Sequence, residues 1–395
     1  MRRNYFQAAA LVLGLACTGF MAASCSDDDN PTTGPSEFDQ AANLDYTAEN
    51  STNWRAYSLR VANLLVEDAT TLYDAWETSY RGGVPFKTTF VQYNGAEGYS
   101  NVMDCITTII DKCQEITDEV GNEKIGDPYR KWMAGNQTEA LYAVESWYSY
   151  HSRDDYANNI RSIRNSYFNS MDSTINDSSL YRIMERVNPT LNAQIAQAIE
   201  DTKNAILAIP QPFRNHIGDE KVPPAQDACT SLGNLFNTSL REALTVAHNN
   251  GTISDADLQA VVEAYVNKVV LPTYKDLKEK NTLLRDAVQA FSNAPSNDTF
   301  ADACDAWIVA REPWEQSEAF LFGPVDALGL DPNMDSWPLD QVAIVHILNS
   351  GDFSSLEWSE GESEEQITST QEIRGFHTLE FLLFKNGAPR TVPAE

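Results

Sequence analysis

Residues 54–76 read WRAYSLRVANLLVEDATTLYDAW, and this stretch carries a clear signal for secondary structure. Its large apolar residues recur at three- and four-residue steps, which places their side chains on one face of an α-helix. A second long segment, residues 262–291, repeats the pattern after a helix-start signal at Ser254 and contains Pro272, which predicts a kink. Because an apolar helix face must be buried against other helices, we predict an all-α protein built as a helical bundle.

The same helical spacing runs through most of the remaining chain. Further helices are predicted near 100–118, 136–150, 155–170, 178–208, 225–249, 298–312, 338–349 and 365–385. Strand-like alternation is confined to residues 86–93, which predicts a hairpin or an extended loop there. An Asn-Gly turn signal at residues 250–251 places a boundary between two bundle-like halves, residues 46–250 and 251–395. The likeness of the two long helices hints at a duplication.

The N-terminus has the pattern of an export signal. A basic pair at residues 2–3 precedes a short apolar run, and small residues then lead to Cys25. The apolar run is too short to span a membrane. Residues 1–24 are therefore predicted to be a signal peptide that is removed from the mature protein.

The segment before Cys25 resembles a bacterial lipobox, in which the cysteine is lipidated and becomes the first mature residue. Ala22 stands where leucine is commoner, and Cys17 is an alternative site. The acidic run that follows, residues 26–29, is similar to the surface-export signal of Bacteroidetes lipoproteins. With residues 25–45 as a flexible tether, we expect an outer-membrane lipoprotein, anchored in membrane lipid and exposed at the cell surface.

Charge and cysteine content exclude some functions. The formal net charge is −29, and a field of that sign repels nucleic acid, so nucleic-acid binding is not expected. No C-x-x-C pair occurs, which argues against a cysteine zinc site. Cys105 and Cys113 lie eight residues apart in a helical segment, too far to bridge each other, and other pairings stay open.

One segment near the C-terminus, residues 373–384 (IRGFHTLEFLLF), places a histidine and a glutamate in an otherwise apolar run. Three residues apart on a helix, His377 and Glu380 point from the same face. A buried imidazole and carboxylate must be hydrogen-bonded, ion-paired or metal-bound, since an unpartnered buried charge is costly. The pattern alone leaves open both a satisfied core pair and a functional site.

Three more segments differ from ordinary helix sequence. They are residues 145–159, 306–326 and 335–340. Arg311, Glu315 and Glu318 recur at helical spacing between tryptophans, so these charges either face a cleft or form an internal ion-pair ladder. Asp340 precedes a predicted helix and is suited to serve that helix's N-terminus.

Together these segments resemble the imelysin family of bacterial envelope proteins. The family's G-x-H-x-x-E motif is matched by Gly375, His377 and Glu380. Its other motifs are matched by residues 145–159, 209–213, 306–326 and 335–340. The likeness covers nearly all of residues 46–395.

The order of the matched segments differs from the usual order in the family. Here residues 46–250 resemble the family's C-terminal half, and residues 251–395 resemble its N-terminal half. The difference predicts a circular permutation, which a fold tolerates when its termini lie close together at the surface. Tyr46 and Phe384 are therefore expected on the same side of the body.

The resemblance implies two helical halves with a ligand site at their interface. The metal- or ligand-binding candidates are His377, Glu380, Glu318, Asp340 and Glu145. The residues expected to line the site are Gly375, Arg311, Asp326, Trp337, Ser149, Tyr148 and Asp155. At an ordinary pKa of about 6.5, His377 is expected to be largely neutral at pH 7, which suits a ligand or proton carrier.

The resemblance also separates functional classes. Family members are tied to bacterial iron uptake, and some are classed as metallopeptidases. A zinc peptidase of the inverse type needs H-x-x-E-H, and Phe381 stands where its second histidine would be. We therefore favour a binding or accessory role in iron or haem uptake, with a divalent metal, iron or haem as ligand. The alternatives are a metallopeptidase and a scaffold that binds no metal and docks an outer-membrane transporter.

Overall fold

The computed structural model describes residues 41–359 and 361–393. The predicted signal peptide, Cys25 and nearly all of the tether lie outside these residues. Within them, no helix is both long enough and apolar enough to cross a bilayer.

The described chain is helical apart from one short hairpin, so the predicted all-α class is confirmed. The helices are α1 Ser51–Glu77, α2 Phe86–Gln92, α3 Val102–Asp118, α4 Gly126–Met133, α5 Gln137–Tyr142, α6 Ser152–Phe168, α7 Leu180–Val187, α8 Pro189–Leu207, α9 Val222–Asn234, α10 Arg241–Asn249, α11 Asp255–Tyr265, α12 Leu271–Asn293, α13 Asn297–Glu315, α14 Pro324–Ala327, α15 Leu330–Asp335, α16 Gln341–Ser350, α17 Glu364–Gln371 and α18 Gly375–Leu383. Three π-helical segments, Glu119–Lys124, Leu235–Leu240 and Val266–Val270, each lie between two of these helices. The hairpin consists of β1 Phe384–Lys385 and β2 Ala388–Pro389.

Residues 54–76 lie in the long helix α1. Its apolar stripe is buried, with Trp54, Tyr57 and Trp76 fully covered. Complete burial of such a side chain stabilises the fold by roughly 1.5–3 kcal/mol. α1 packs most extensively on α12, which in turn packs on α13, and α18 lies against both α1 and α13. These four helices form the first packing unit.

A second packing unit is built from α3, α6, α8 and α9. It meets the first where α6 contacts α13 and where α3 contacts the 3-10 turn Glu318–Phe320. By packing, α1 belongs with helices of the second half of the sequence, although it precedes residue 250. The division of the chain into two halves at residue 250 stays a prediction.

The strand-like reading of residues 86–93 is wrong, because Phe86–Gln92 is helical. Phe86 and Phe90 are four residues apart and bury the same helix face against the ring of Trp76. That pair of buried aromatic rings outweighs the strand preference of the adjacent threonines.

Some predicted helices are shorter or interrupted. The helix predicted over 136–150 ends at Tyr142, and the turns that follow lead to α6. The one predicted over 365–385 is divided into α17 and α18. Ahead of Pro272, whose ring nitrogen cannot donate to the preceding turn, the chain forms the π segment Val266–Val270.

The two ends of the described chain lie side by side. Lys385 Nζ is 2.6 Å from Asp45 Oδ2, and the guanidinium of Arg390 donates to the carbonyl of Leu44 at 2.7 Å. The expectation that Tyr46 and Phe384 lie on one side of the body is therefore confirmed. Neighbouring ends are what a circular permutation requires.

The four cysteines in the described residues, Cys105, Cys113, Cys229 and Cys304, are all buried and unpaired.

Candidate functional site

The position of α18 depends on the glycine at its start. Gly375 has φ +85°, a conformation that L side chains rarely adopt. A Cβ there would lie 2.5 Å from the carbonyl oxygen of Met334. The close approach expected at Gly375 is therefore to the backbone of α15, and it sets the last residue of α15, Asp335, beside His377.

His377 and Glu380 project from one face of α18, as their spacing predicted. Both are fully buried, and His377 Nδ1 lies 3.2 Å from Glu380 Oε2. The other oxygen, Glu380 Oε1, accepts hydrogen bonds from the backbone N–H of Ser149 at 2.8 Å and from its hydroxyl at 2.7 Å. Every carboxylate oxygen of Glu380 is thus already engaged.

Ser149 is delivered by the turns between α5 and α6. Ser146 and Tyr150 have φ values of +48° and +66°, in the left-handed region that costs non-glycine residues free energy. The Ser146 hydroxyl donates to Asp155 Oδ2 at 2.5 Å, which attaches this segment to α6. The strained turns therefore hold a donor pair against the G-x-H-x-x-E helix.

Arg311 is the centre of the site. It is fully buried on α13, and its guanidinium pairs with Asp335 and with Glu315 Oε1, the latter at 2.5 Å. Its Nε lies 3.7 Å from Asp155 Oδ2 and its Nη2 lies 3.4 Å from His377 Nε2. One guanidinium is therefore shared by carboxylates from three different elements.

The surroundings of His377 change its protonation. Burial and the nearby Arg311 act to lower its pKa, but the carboxylates of Asp335, 3.2 Å from Nε2, and Glu380 outweigh them and raise the pKa to about 9. The expectation of a largely neutral His377 is therefore wrong for this arrangement, since two carboxylates flank the ring. The ring of Trp337 packs against it, with centroids 4.9 Å apart.

A second group of charges lies on the far side of Arg311, around Lys124. The ammonium group of this buried lysine is 3.3 Å from Glu119, 3.2 Å from Glu145 and 3.7 Å from Glu318. Lys124 is the last residue of a π-helical segment, and such segments occur frequently at functional sites. We call these charges and those around Arg311 together the polar cluster.

Three carboxylates in the polar cluster are close enough to share one ion. Oxygen atoms of Glu315, Glu318 and Asp335 all lie within 4.8 Å of one another. Burial raises the pKa of Glu315 to about 8 and that of Glu318 well above its ordinary value, so the two carboxyl groups resist carrying charge without a partner.

The resemblance implies a metal ion. The two ends of the polar cluster differ in how well their residues suit such an ion as ligands. The carboxylate trio offers the oxygen donors that hard cations prefer. His377 and Glu380 fit poorly as ligands, because both imidazole nitrogens face carboxylates and both oxygens of Glu380 accept hydrogen bonds. Both oxygens of Glu315 and of Asp335 are engaged as well, by Arg311 and Asn159 and by Arg311 and Trp314, so a metal held by the trio would have to displace these contacts. Of the three carboxylates, Glu318 makes no hydrogen bond with the described residues.

Most of the predicted site residues lie in or beside the polar cluster. The residues brought together are His377, Glu380, Gly375, Arg311, Ser149, Asp155, Glu318, Glu145 and Trp337. Tyr148 lies at the edge, where its ring packs on Phe381.

Two predicted residues lie elsewhere. Asp340 is exposed and caps α16, where it accepts from the backbone N–H of Ala343 at 2.9 Å. Asp326 is exposed on α14. A carboxylate inside a matched motif therefore does not by itself belong to the site.

Sequence reasoning did not select Asp335, Glu315 or Lys124 as ligand-site residues. The first opens a matched motif, and the second continues the helical spacing of Arg311, so both carried a signal. Lys124 had none, because the π-helical segment that turns it inward has no reliable sequence pattern.

Two surface grooves, of about 780 and 640 Å³, lie along α8 and the outer face of α6. Neither is lined by a residue of the polar cluster. Arg311, Glu315, His377 and Glu380 are fully buried, so this part of the cluster is covered by the protein.

Comparison with known proteins shows the family of the chain. The family model described as imelysin, peptidase M75, matches residues 30–238 and 270–394. A crystal structure of an imelysin peptidase from Bacteroides ovatus is 55% identical, covers 89% of this chain and 100% of its own, and superposes with a TM-score of 0.87. Iron-regulated protein A of Synechococcus elongatus is 34% identical over 128 residues, which span 32% of each protein. The chain belongs to the imelysin family.

Proposed function

We propose that this protein is a lipid-anchored imelysin-type binding protein that acts in iron acquisition at the cell envelope and holds its ligand in the polar cluster. The observation that carries the proposal is the grouping of the buried Glu315 and Glu318 with the partly buried Asp335, whose oxygens lie within 4.8 Å of one another. Each buried carboxylate carries a desolvation cost, and a cation placed between the three would offset it in addition to Arg311 and Lys124. The likeness to a protein named as iron-regulated supports a role connected with iron.

The cluster favours a bare ion over haem or a peptide. Arg311, Glu315 and His377 are fully covered, and the grooves described above are lined by other residues. A porphyrin or a polypeptide would need these helices to separate. Iron as an ion is therefore the better candidate than the haem that the sequence analysis also allowed.

The same geometry disfavours proteolysis. A metallopeptidase needs a metal with an open coordination position and a general base beside it. Glu380, the carboxylate of the G-x-H-x-x-E motif, has both oxygens occupied by His377 and Ser149. It is placed to orient the imidazole and has no free oxygen for a water molecule.

Iron binding by chelator-treated protein tests the proposal. We expect the wild type to retain about one equivalent of Fe²⁺ or Fe³⁺ after equilibrium dialysis and to show no hydrolysis of casein. Asp335→Asn should lose the bound iron, because Asp335 belongs to the trio, while the matched control Asp340→Asn removes an exposed carboxylate and should keep it.

Melting temperatures of both variants confirm that each is folded at the assay temperature. Retention of iron by Asp335→Asn, or no iron in the wild type, would contradict the proposal. The latter result would favour a scaffold that docks an outer-membrane transporter.

The lipid anchor is tested separately. We expect Cys25→Ser to release the protein from the membrane fraction or to leave an uncleaved precursor, since the lipidated cysteine would be lost. A fully processed variant that stays with the membrane would contradict the lipoprotein assignment.

A further inference from the structure

We propose that Arg214, Trp147 and Tyr150 form a second ligand site, which binds the carboxylate group of a small, flat organic anion. We call these three residues the Arg214 site. None of them belongs to the polar cluster, so the site goes beyond the proposed iron function and is independent of it.

The guanidinium of Arg214 has one unused edge. Its Nη1 donates to the carbonyl oxygen of Trp147 at 3.0 Å. Its Nε is buried without a hydrogen-bond partner, and its Nη2 has no acceptor among residues 41–359 and 361–393. Nε and Nη2 lie on the same side of the planar group, and such a pair of parallel N–H donors matches the two oxygens of a carboxylate. Arg214 therefore presents the edge that a carboxylate recognises.

A second buried donor lies beside this edge. Trp147 is 4% exposed, and its indole N–H has no hydrogen-bond partner in the described part of the chain. The guanidinium carbon of Arg214 is 4.1 Å from the centroid of the Trp147 ring, so the unpaired donors of the two side chains lie in one small region. Most buried N–H groups in proteins are paired, and an acceptor group supplied by a ligand would pair these.

Arg214 also lacks an acidic partner. Its contacts in the described part of the chain are with a carbonyl oxygen and two aromatic rings, and none is with a carboxylate. Burial lowers the pKa of Arg214 from its ordinary value. Burial acts in the same direction on Arg311, but Asp335 and Glu315 raise the pKa of that arginine well above its ordinary value. The charge of Arg214 is left uncompensated, and a bound anion would compensate it.

Aromatic rings give the site a fixed, flat wall. The guanidinium carbon of Arg214 lies 5.2 Å from the centroid of the Tyr150 ring, and the Trp147 ring stacks on Tyr148 with centroids 4.1 Å apart. Tyr150 also packs closely on Gly387 of the hairpin turn, where a Cβ would lie 2.2 Å from its ring. Arg214 and Tyr150 are both partly exposed, so a ligand reaches the site from the surface. A planar ligand can then lie against rings that are already in place.

The net charge of the chain argues against a general attraction of anions. Asp and Glu outnumber Lys and Arg by 57 to 28, and the resulting field repels anions over most of the surface. An anion that binds must therefore be held by local donors, and its affinity should depend on the single side chain of Arg214.

Titration with sodium benzoate tests the site, because benzoate combines a carboxylate with a flat ring. The readout is the indole N–H signal of Trp147 in a heteronuclear NMR spectrum, identified by its loss in Trp147→Phe. We expect benzoate to shift this signal. Benzamide has nearly the same shape without the charge, and it should bind at least about tenfold more weakly, because hydrogen bonds to a charged acceptor are the stronger ones.

Two substitutions separate the geometry of the donor from its charge. Arg214→Lys keeps the positive charge but removes the pair of parallel N–H groups, and Arg214→Gln removes both. Each should weaken benzoate binding by about tenfold or more. Arg81→Gln is the matched control and should leave benzoate binding unchanged, since Arg81 is an exposed arginine that likewise lies over a tyrosine ring, that of Tyr80 at 5.1 Å, and donates to a backbone carbonyl.

Melting temperatures show which variants are folded, and the comparison of benzoate with benzamide uses the wild type alone. No shift of the Trp147 signal with benzoate, equal affinity for benzoate and benzamide, or unchanged benzoate binding in the folded Arg214 variants would overturn the inference. Tighter binding of inorganic phosphate than of benzoate would contradict the carboxylate class. The Arg214 variants should keep the iron of the wild type, so failure of the Arg214 site and failure of the iron proposal are separate results.

Discussion

The two ends of the polar cluster are chemically opposite, although Arg311 joins them. At the His377 end, Glu380 receives two hydrogen bonds from Ser149 and faces the imidazole at 3.2 Å. At the Glu318 end, a buried carboxylate has one distant ion-pair partner and no hydrogen bond with the described residues. The polar groups at the His377 end are hydrogen-bonded within the protein, whereas the carboxylate of Glu318 is available to a ligand.

This difference reverses the ranking of candidate ligand residues that the sequence suggests. The G-x-H-x-x-E motif is conspicuous because polar residues stand out in an apolar helix. A group with every hydrogen-bonding position filled, however, has little left with which to bind a ligand. In the segment after Arg311, Glu315 is engaged by Arg311 and Asn159, whereas Glu318 keeps unused hydrogen-bonding capacity, and we place the ligand contact there.

Removing the guanidinium that joins the two ends should have the largest effect. Arg311→Met leaves Asp335, Glu315 and Asp155 buried without their shared partner, and we expect a loss of about 3–5 kcal/mol in the free energy of unfolding. Urea unfolding measures it. Arg60→Met is the control, since Arg60 is partly exposed and pairs with exposed glutamates, and it should cost about 1 kcal/mol or less. Similar losses in both would mean that the cluster contributes little to the fold.

The satisfied end should be sensitive to a change that keeps its shape. Glu380→Gln replaces a charged acceptor of the Ser149 hydrogen bonds by a neutral one, and we expect a loss of about 1.5–3 kcal/mol. Chemical denaturation of Glu365→Gln, an exposed glutamate on α17, provides the reference and should show almost no change. If Glu380→Gln and Glu365→Gln were equally stable, the hydrogen bonds of Glu380 would not stabilise the fold, and the two ends of the polar cluster would not differ in this respect.

The stability of metal-free protein should depend on pH through His377. Its pKa of about 9 in the folded protein lies above the value of about 6.5 expected for the unfolded chain. Its contribution is therefore complete below pH 6.5 and is lost as the pH rises to 9. Unfolding in urea at pH 6, 7.5 and 9 measures the slope.

His377→Gln should flatten that slope in part, because His151, whose pKa is also raised to about 9, keeps its own contribution. The exposed His346 serves as the control, and His346→Gln should leave the slope unchanged. A slope unaffected by His377→Gln would show that the imidazole is not protonated in the folded state.

The smallest effect on stability is expected at the unsatisfied end. Glu318→Gln removes a buried charge that has no hydrogen bond, so metal-free protein should change by less than about 1 kcal/mol, with the sign towards greater stability. Calorimetric melting in the presence of a chelator measures it. A loss above about 2 kcal/mol would show that the ion pair with Lys124 is structural, and the contrast between the two ends would then fail.

Much of the fold followed from local pattern. Helical periodicity located α1, α3, α6 and α12 well, and the helix start predicted at Ser254 formed, with Ser254 as the N-cap of α11. The errors fell where tertiary contacts overrode local preference, as at Phe86, whose ring is buried against Trp76. They also fell at Gly375, where a positive φ ended one helix and began another.

The candidate site was predictable in part. The resemblance selected His377, Glu380 and Arg311, and the structure brings them together. It also selected Asp340 and Asp326, which are exposed, because a motif records neighbours in sequence and not neighbours in space. Lys124 was missed because it lies in none of the matched motifs, although the fold brings it to the site.

The helical class and the family could be inferred from the amino-acid sequence, and an export signal was predicted from it, because apolar spacing and motif identity are properties of neighbouring residues. Which polar groups have hydrogen-bond partners became known from the three-dimensional structure. Ser149 and Glu380 are 231 positions apart in the chain, and their hydrogen bonds exist only because the fold brings the two segments together. Whether a buried carboxylate is a structural partner or an unused ligand depends on such contacts, since the cost of its charge is set by the atoms that surround it.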